Sequence, residues 1–261
     1  MFISIFNYFF LFLIFLYFYK KKFIKKNLLI IFFFLLLTPF FINGFIFNPG
    51  YMPDQMYYLN LNKDVRNFDF LFLDYYHVIV SDRTFIAAIY QSLIPIPIID
   101  SVIDLSLAQK FLYLCTFLFL HYKKALNKYS FSILLFLPSV ILYTGVGLKE
   151  SLLFSLTSLS FYFSIKKNYF FSIVLYLMLF SVKPVIFIIG FTFNILYILI
   201  FYFDRSKLFK ILFCSFLVIL FCVLYFNFIE ELNFFTNKRR VIEATYDMNK
   251  INPEYIDFGN V

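Results

Sequence analysis

Apolar segments near or above 18 residues follow one another along most of this 261-residue chain, and that succession decides the fold class before any motif is considered. A helix of roughly 20 residues crosses the hydrocarbon core of a bilayer. Because lipid offers no partners for backbone N–H and C=O groups, such runs must be helices. The composition agrees: 62% hydrophobic and 15% charged residues, with a mean hydropathy of +0.84, against about a quarter charged for soluble domains. We therefore expect an all-α, polytopic transmembrane helix bundle of about eight spans with one larger extracytoplasmic loop. The bundle covers residues 1–229 and includes the loop 49–84; residues 230–261 form a polar extracytoplasmic tail. The 44 Phe and 21 Tyr need no aromatic cofactor, since an AT-rich coding sequence supplies Phe and membrane helices accept it as readily as Leu.

Charge sets the orientation. Lys20, Lys21, Lys22, Lys25 and Lys26 are the densest basic cluster and follow the run Phe2 to Tyr19, so they are placed in the cytoplasm and the amino terminus outside. That first run lacks a preceding basic segment and a small-residue cleavage site, and is expected to remain as a helix. A span from Asn27 to about Phe47, with Pro39 and Gly44 as kink points, leads to the outer loop. Thr84 to Ile99 is short and carries Gln91, Pro95 and Pro97, the pattern of an interfacial or re-entrant segment. Further spans are expected at Ser101 to Leu120, Tyr129 to Leu148, Ser151 to Ile165, Tyr169 to Val182, Val185 to Phe203 and Ile211 to Phe228. The four cytoplasmic connections then hold thirteen Lys or Arg and one acid, Asp204. The net charge of +8 is thus an orientation signal, which argues against nucleic acid as a partner.

Chemistry is expected where polar residues interrupt the apolar pattern on the outer side. The stretch from Pro49 to Arg83 begins with a Tyr51-Met52-Pro53-Asp54-Gln55 run. Lys149 and Glu150 join two spans behind Pro138, Gly145 and Gly147, and Lys183 with Pro184 marks a later outer turn. Lys149 either snorkels to the headgroups at an ordinary turn or holds a phosphate; Asp54 is either a solvated carboxylate or part of a structured loop. Asp104 and Lys110 fall in the outer half of one span, and Ser151, Ser155 and Ser158 form a small-residue packing stripe. His77 with Asp74 three residues earlier is too sparse for a metal site, so no metal is expected. Cys115, Cys214 and Cys222 all fall inside expected spans, which leaves no disulfide framework. No phosphate-binding glycine loop or dinucleotide fingerprint occurs, and no cofactor is named by the residues.

An acid in the first large outer loop, a Pro138-Ser139 pair eight residues before Leu148-Lys149-Glu150-Ser151, and the following Lys183-Pro184 turn resemble bacterial multi-spanning membrane proteins of surface-polysaccharide assembly. These include GT-C-type glycosyltransferases and O-antigen-polymerase-like proteins. The resemblance implies a glycosyltransferase or polymerase of the bacterial cytoplasmic (inner) membrane that uses polyprenyl-phosphate-linked sugars at the outer leaflet. Asp54 would be the catalytic general base, Lys149 and Lys183 would bind the departing phosphate, and Gln55 and Glu150 would support them. Gln55 stands where such proteins carry a second acid, and many of them continue beyond 261 residues, so a shortened or truncated relative is implied. A lipid-linked oligosaccharide transporter, or a non-catalytic partner in a membrane assembly complex, is the alternative expectation.

Overall fold

A computed structural model describes residues 2–46, 53–67, 82–202 and 215. The expected span 211–228, the tail 230–261, His77 with Asp74, and Cys214 and Cys222 lie outside the described residues. Residues 1–191 form one compact unit and 192–261 a second. The described chain is all-α: α1 (Phe2–Lys20), α2 (Lys26–Phe41) running into a π turn (Ile42–Ile46), α3 (Pro53–Asn67), α4 (Asp82–Ser92), α5 (Val102–Tyr122), α6 (Lys128–Phe136), α7 (Pro138–Thr144), α8 (Glu150–Ile165), α9 (Tyr169–Val182) and α10 (Pro184–Tyr202). Three segments, Phe2–Lys20, Lys26–Ile46 and Val102–Tyr122, are long and apolar enough to cross a membrane; α9 and α10 are shorter apolar helices.

The centre of the first unit is α5, which touches α1, α2, α3, α7 and α8. Its most apolar stretch is 78% buried by protein, against 28% for α1. The outward residues of α1 and α2 are large and apolar, among them Phe6, Phe9, Leu13 and Phe34, a surface suited to lipid. Phenylalanines also fill the joints: Phe15 meets Phe32 of α2 and Phe111 of α5 with ring centroids 4.9 and 5.3 Å apart, near the spacing at which edge and offset ring contacts are favourable. Pro39 lacks the N–H that would bond the Leu35 carbonyl, and the Thr38 hydroxyl donates to that oxygen instead at 2.7 Å. The π turn follows within three residues.

The start of α5 is fixed by a capping box. Ser101 Oγ accepts from the Asp104 N–H, and Asp104 Oδ2 accepts from the Ser101 N–H at 2.8 Å. Asn7 of α1 donates to the other Asp104 oxygen at 2.9 Å and to the Ile98 carbonyl. Asp104 is fully buried, yet both oxygens are occupied, so it is a cap and a helix tie. Lys110, equally buried, donates to Thr144 Oγ1 at 2.8 Å and to the Ile141 carbonyl, drawing α7 onto α5. Without the amine, Thr144 Oγ1 keeps its own bond to the Val140 carbonyl at 2.6 Å, so an apolar side chain of similar volume strands no buried donor and removes a costly buried amine. We expect Lys110→Met to keep the helix packing, measured as the melting temperature of the solubilised protein.

Helices α1, α5 and α8 end in the same way. Lys22, Lys124 and Lys167 take positive φ values of 62°, 54° and 59°. In each case the residue that follows donates back five positions, as Phe23 N to Phe18 O, Ala125 N to Leu120 O and Asn168 N to Phe163 O, the Schellman closure. The left-handed conformation costs a non-glycine residue on the order of 1 kcal/mol, and a cation beside helix carbonyls returns part of it. Ring contacts tie the ends of α1, α5 and α8 to one another: Phe23 to Tyr122, and Phe119 to Tyr162. The three lysine turns therefore share one end of the unit, and the starts of α1, α5 and α8 share the other.

Two segments depart from the sequence expectation. The single helix expected over Tyr129 to Leu148 is two helices, because Leu137 before Pro138 takes ψ 121° and ends α6. The outer loop contains an amphipathic helix, α3, and the re-entrant segment is a helix, α4, packed against it. Extended chain then leads to Asp100. Arg66 of α3 holds that chain by donating to the carbonyls of Ile96 and Ile94 at 2.7 and 2.8 Å.

Candidate functional site

Pro53 opens α3, where its missing N–H costs nothing, and Asp54 lies in the first turn, where a carboxylate is favoured by the helix dipole. Helical periodicity then separates neighbours. Asp54 is exposed, while Gln55, Tyr58, Leu59 and Asn62, at i, i+3, i+4 and i+7, make the buried face. Gln55 therefore faces the bundle and not the solvent beside Asp54.

That buried face meets the turn that carries Lys149 and Glu150. Gln55 Oε1 accepts from the Gly147 N–H at 3.0 Å. Gln91 of α4 donates to the Leu148 carbonyl at 3.2 Å, and Asn62 of α3 donates to Gln91 Oε1 at 3.0 Å. From the π turn, Asn43 donates to the Gly145 carbonyl at 3.1 Å and to Ser106 Oγ at 3.0 Å. Three side-chain amides from three elements thus bond the Gly145 carbonyl, the Gly147 N–H and the Leu148 carbonyl, while the Gly145 N–H closes α7 on the Leu142 carbonyl. An unpaired buried backbone group costs roughly 1–3 kcal/mol, so these amides define the shape of the turn. Gly147 fits closely: a Cβ there would lie 3.3 Å from Gln55 Oε1, Leu105 Cδ2 and Ser106 Oγ, so those side chains would have to give way. We expect Gly147→Ala to cost roughly 1 kcal/mol through crowding, visible as a lower melting temperature.

The turn delivers Lys149 and Glu150 to the end of the unit opposite the lysine turns. Lys149 lies over the Tyr58 ring of α3, 6.0 Å from its centroid. Lys183 sits between α9 and α10, extended before Pro184, and Tyr90 of α4 with Ser181 of α9, 3.2 Å apart, ties that region to α4. Glu150 registers the whole group. Burial pushes its carboxyl above its ordinary value; its own backbone N–H and the charges of Lys183 and Lys149 pull it down, and Asp54 pushes it up. All five sequence-predicted residues are thereby related: Asp54, Lys149 and Lys183 each act on Glu150 through charge, and Gln55 holds the turn. Glu150 Oε2 is buried without a hydrogen-bond partner, and among the described residues the ion pair within 4.0 Å is Lys63 with Asp100, elsewhere.

The arrangement offers two cations near one buried carboxyl, groups suited to an anion and to a proton. A cavity of about 650 Å³ lies toward the other end of α3, lined by Lys63, Arg66, Ile94, Ile96 and Asp100 among others. Nine residues separate Lys63 from Asp54, about 13 Å along the helix axis, so the cavity is separate from the charge cluster. Among the described residues no group of three His, Cys, Asp or Glu could hold a metal ion. Sequence reasoning missed Asn43 and gave Gln91 no role. The signal available was their polarity inside apolar runs, which marks an amide needing a buried partner. In comparisons with protein-family models, curated proteins and solved structures, the chain matches none.

Proposed function

We propose that this chain is an integral membrane glycosyltransferase or polymerase-like protein acting on polyprenyl-phosphate-linked sugars at the outer leaflet of a bacterial cytoplasmic membrane, in cell-surface polysaccharide synthesis. The observation that carries the reading is the gathering of Lys149, Lys183, Asp54 and Glu150 from three separate stretches of chain at the end opposite the lysine turns. Lysine-rich turns stay in the cytoplasm, which favours the outer leaflet for the cluster in the eight-span arrangement expected from the sequence. There the two lysines stabilise the charge that grows on a departing phosphate, and a carboxylate of the cluster takes the acceptor proton. Deleting the gene is expected to cause lipid-linked sugar to accumulate while surface polymer disappears. Unchanged lipid-linked sugar on deletion would remove the proposal.

A transporter reading draws on the buried ionisable residues of α5, since charges inside a span often mark a pathway. Lys110 and Asp104 are committed to Thr144, Ile141, Ser101 and Asn7. These are structural ties, and enzymatic transfer is the better reading. Orientation is checked with single cysteines in a background where Cys115, Cys214 and Cys222 are replaced by Ala. Cysteines at Asn60 and Asn127, both exposed, are expected to react with an impermeant reagent from outside and from inside respectively.

A further inference from the structure

We propose that Glu150, and not Asp54, is the proton-accepting catalytic residue of this site, and that the unbonded polar atoms of Gln109 and Ser151 beside it hold the acceptor hydroxyl against it. The inference rests on the function proposed above and assigns the chemistry within that site.

Helices α5 and α8 run parallel in a register fixed by four contacts. A Cβ on Gly147 would approach Leu105 to 3.3 Å. The Tyr113 and Phe154 rings lie 4.9 Å apart, Thr116 bonds Ser155 at 2.8 Å, and Phe119 meets Tyr162 at 5.3 Å. Position 109 shares a face with 105, 112 and 116, so this register sets Gln109 opposite residues 150 and 151. Gln109 is fully buried with neither Oε1 nor Nε2 bonded, Ser151 is 1% exposed with Oγ unbonded, and Glu150 Oε2 is buried and unbonded. Each such atom is costly to leave unpaired in a buried site. Four of them, grouped by the register of α5 and α8 beside a carboxyl on which two lysines act, call for a polar group that the protein does not supply. A hydroxyl suits them all, since it donates to a carboxylate and accepts from an amide.

Asp54, by contrast, is exposed at the first turn of α3, where water competes for its oxygens. The charges acting on Glu150 are Lys183 from the α9 end, Lys149 from the turn and Asp54 from α3. Lys110 and Asp104 of α5 are bonded elsewhere, Tyr90 of α4 is paired with Ser181, and Tyr143 of α7 and Arg83 of α4 are exposed. In the step, the acceptor O–H gives its proton to Glu150 Oε2 and its oxygen bonds the anomeric carbon. The bond from that carbon to the phosphate oxygen breaks, and its electron pair leaves with the lipid phosphate between Lys149 and Lys183. Burial raises Glu150, so activity should fall as external pH drops through its raised value and the base becomes protonated.

The test uses lipid-linked sugar extracted from the deletion strain, labelled and presented to membranes containing the full chain, with initial rates measured from about pH 5 to 8. General-base help is worth about a hundredfold or more. Glu150→Gln is expected to lose at least that in kcat with KM little changed, and to lose the acid limb of the profile. Glu150→Asp should keep a limb at reduced rate, which covers the case in which the amide variant fails to insert. Asp54→Asn should lose less and keep the limb. A wild-type profile in Glu150→Gln, with the limb abolished in Asp54→Asn, would overturn this assignment while leaving the glycosyl-transfer reading intact. Absence of transfer by the wild type would overturn both.

Discussion

Lys149→Gln and Lys183→Gln should each lower the rate of sugar transfer about a hundredfold while the protein inserts normally. The two lysines come from different turns, yet both act on the same buried carboxylate, Glu150. In a site shielded from water, removing one donor to a developing oxyanion costs roughly 2.7–4 kcal/mol, and each 1.36 kcal/mol is about tenfold in rate. A lysine that merely reaches to the headgroups behaves differently, since Gln can keep its polar end in the same region. The measurement is initial-rate transfer in membranes, with expression and cysteine labelling at Asn60 as controls. Neither lysine belongs to the basic turns that set orientation, so insertion should be unaffected. Wild-type rates in the double variant would eliminate the phosphate clamp.

Gln55→Leu should disable the site from a distance. Gln55 is fully buried and its Oε1 accepts from the Gly147 N–H. Leucine leaves that N–H without an acceptor, a loss of roughly 1–3 kcal/mol. The turn then relaxes and takes Lys149 and Glu150 with it, and a misplacement of about 1 Å in a reacting group can cost on the order of a hundredfold. Gln55→Glu keeps an acceptor oxygen at the same reach, so it is expected to recover most of the turn geometry. Its added charge has to be buried near Glu150, which keeps the recovery partial. The discriminating readout is kcat against KM: a displaced turn lowers kcat more than it weakens binding. Equal rates for the Leu and Glu variants would show that Gln55 does not position the turn.

Several features of this fold could be reasoned from residues alone, because they depend on neighbours in sequence. Hydropathy over about 20 residues identified the runs that became α1, α2 and α5. Clustered lysines marked the turns after α1, α5 and α8, and Pro184 marked the start of α10. The pattern around residues 138–151 and at Lys183 also drew attention to the residues that act on Glu150, since charges at the edge of apolar runs stand out locally. Other features are set by partners distant in the chain. Asp54 and Gln55 are adjacent, but one residue's step of helical phase, about 100°, sends the first to solvent and the second to Gly147, 92 positions away. Asn43, Gln91 and Asn62 look like isolated blemishes in apolar or loop sequence until the backbone of the 145–148 turn comes within bonding distance. Gln109 carries the same local signal, an amide in an apolar run, but what it faces depends on the parallel register of α5 and α8. Periodicity tells which face of a helix is buried; which polar group that face must satisfy is decided by packing, because a hydrogen bond requires an approach within about 3 Å that only the assembled helices provide.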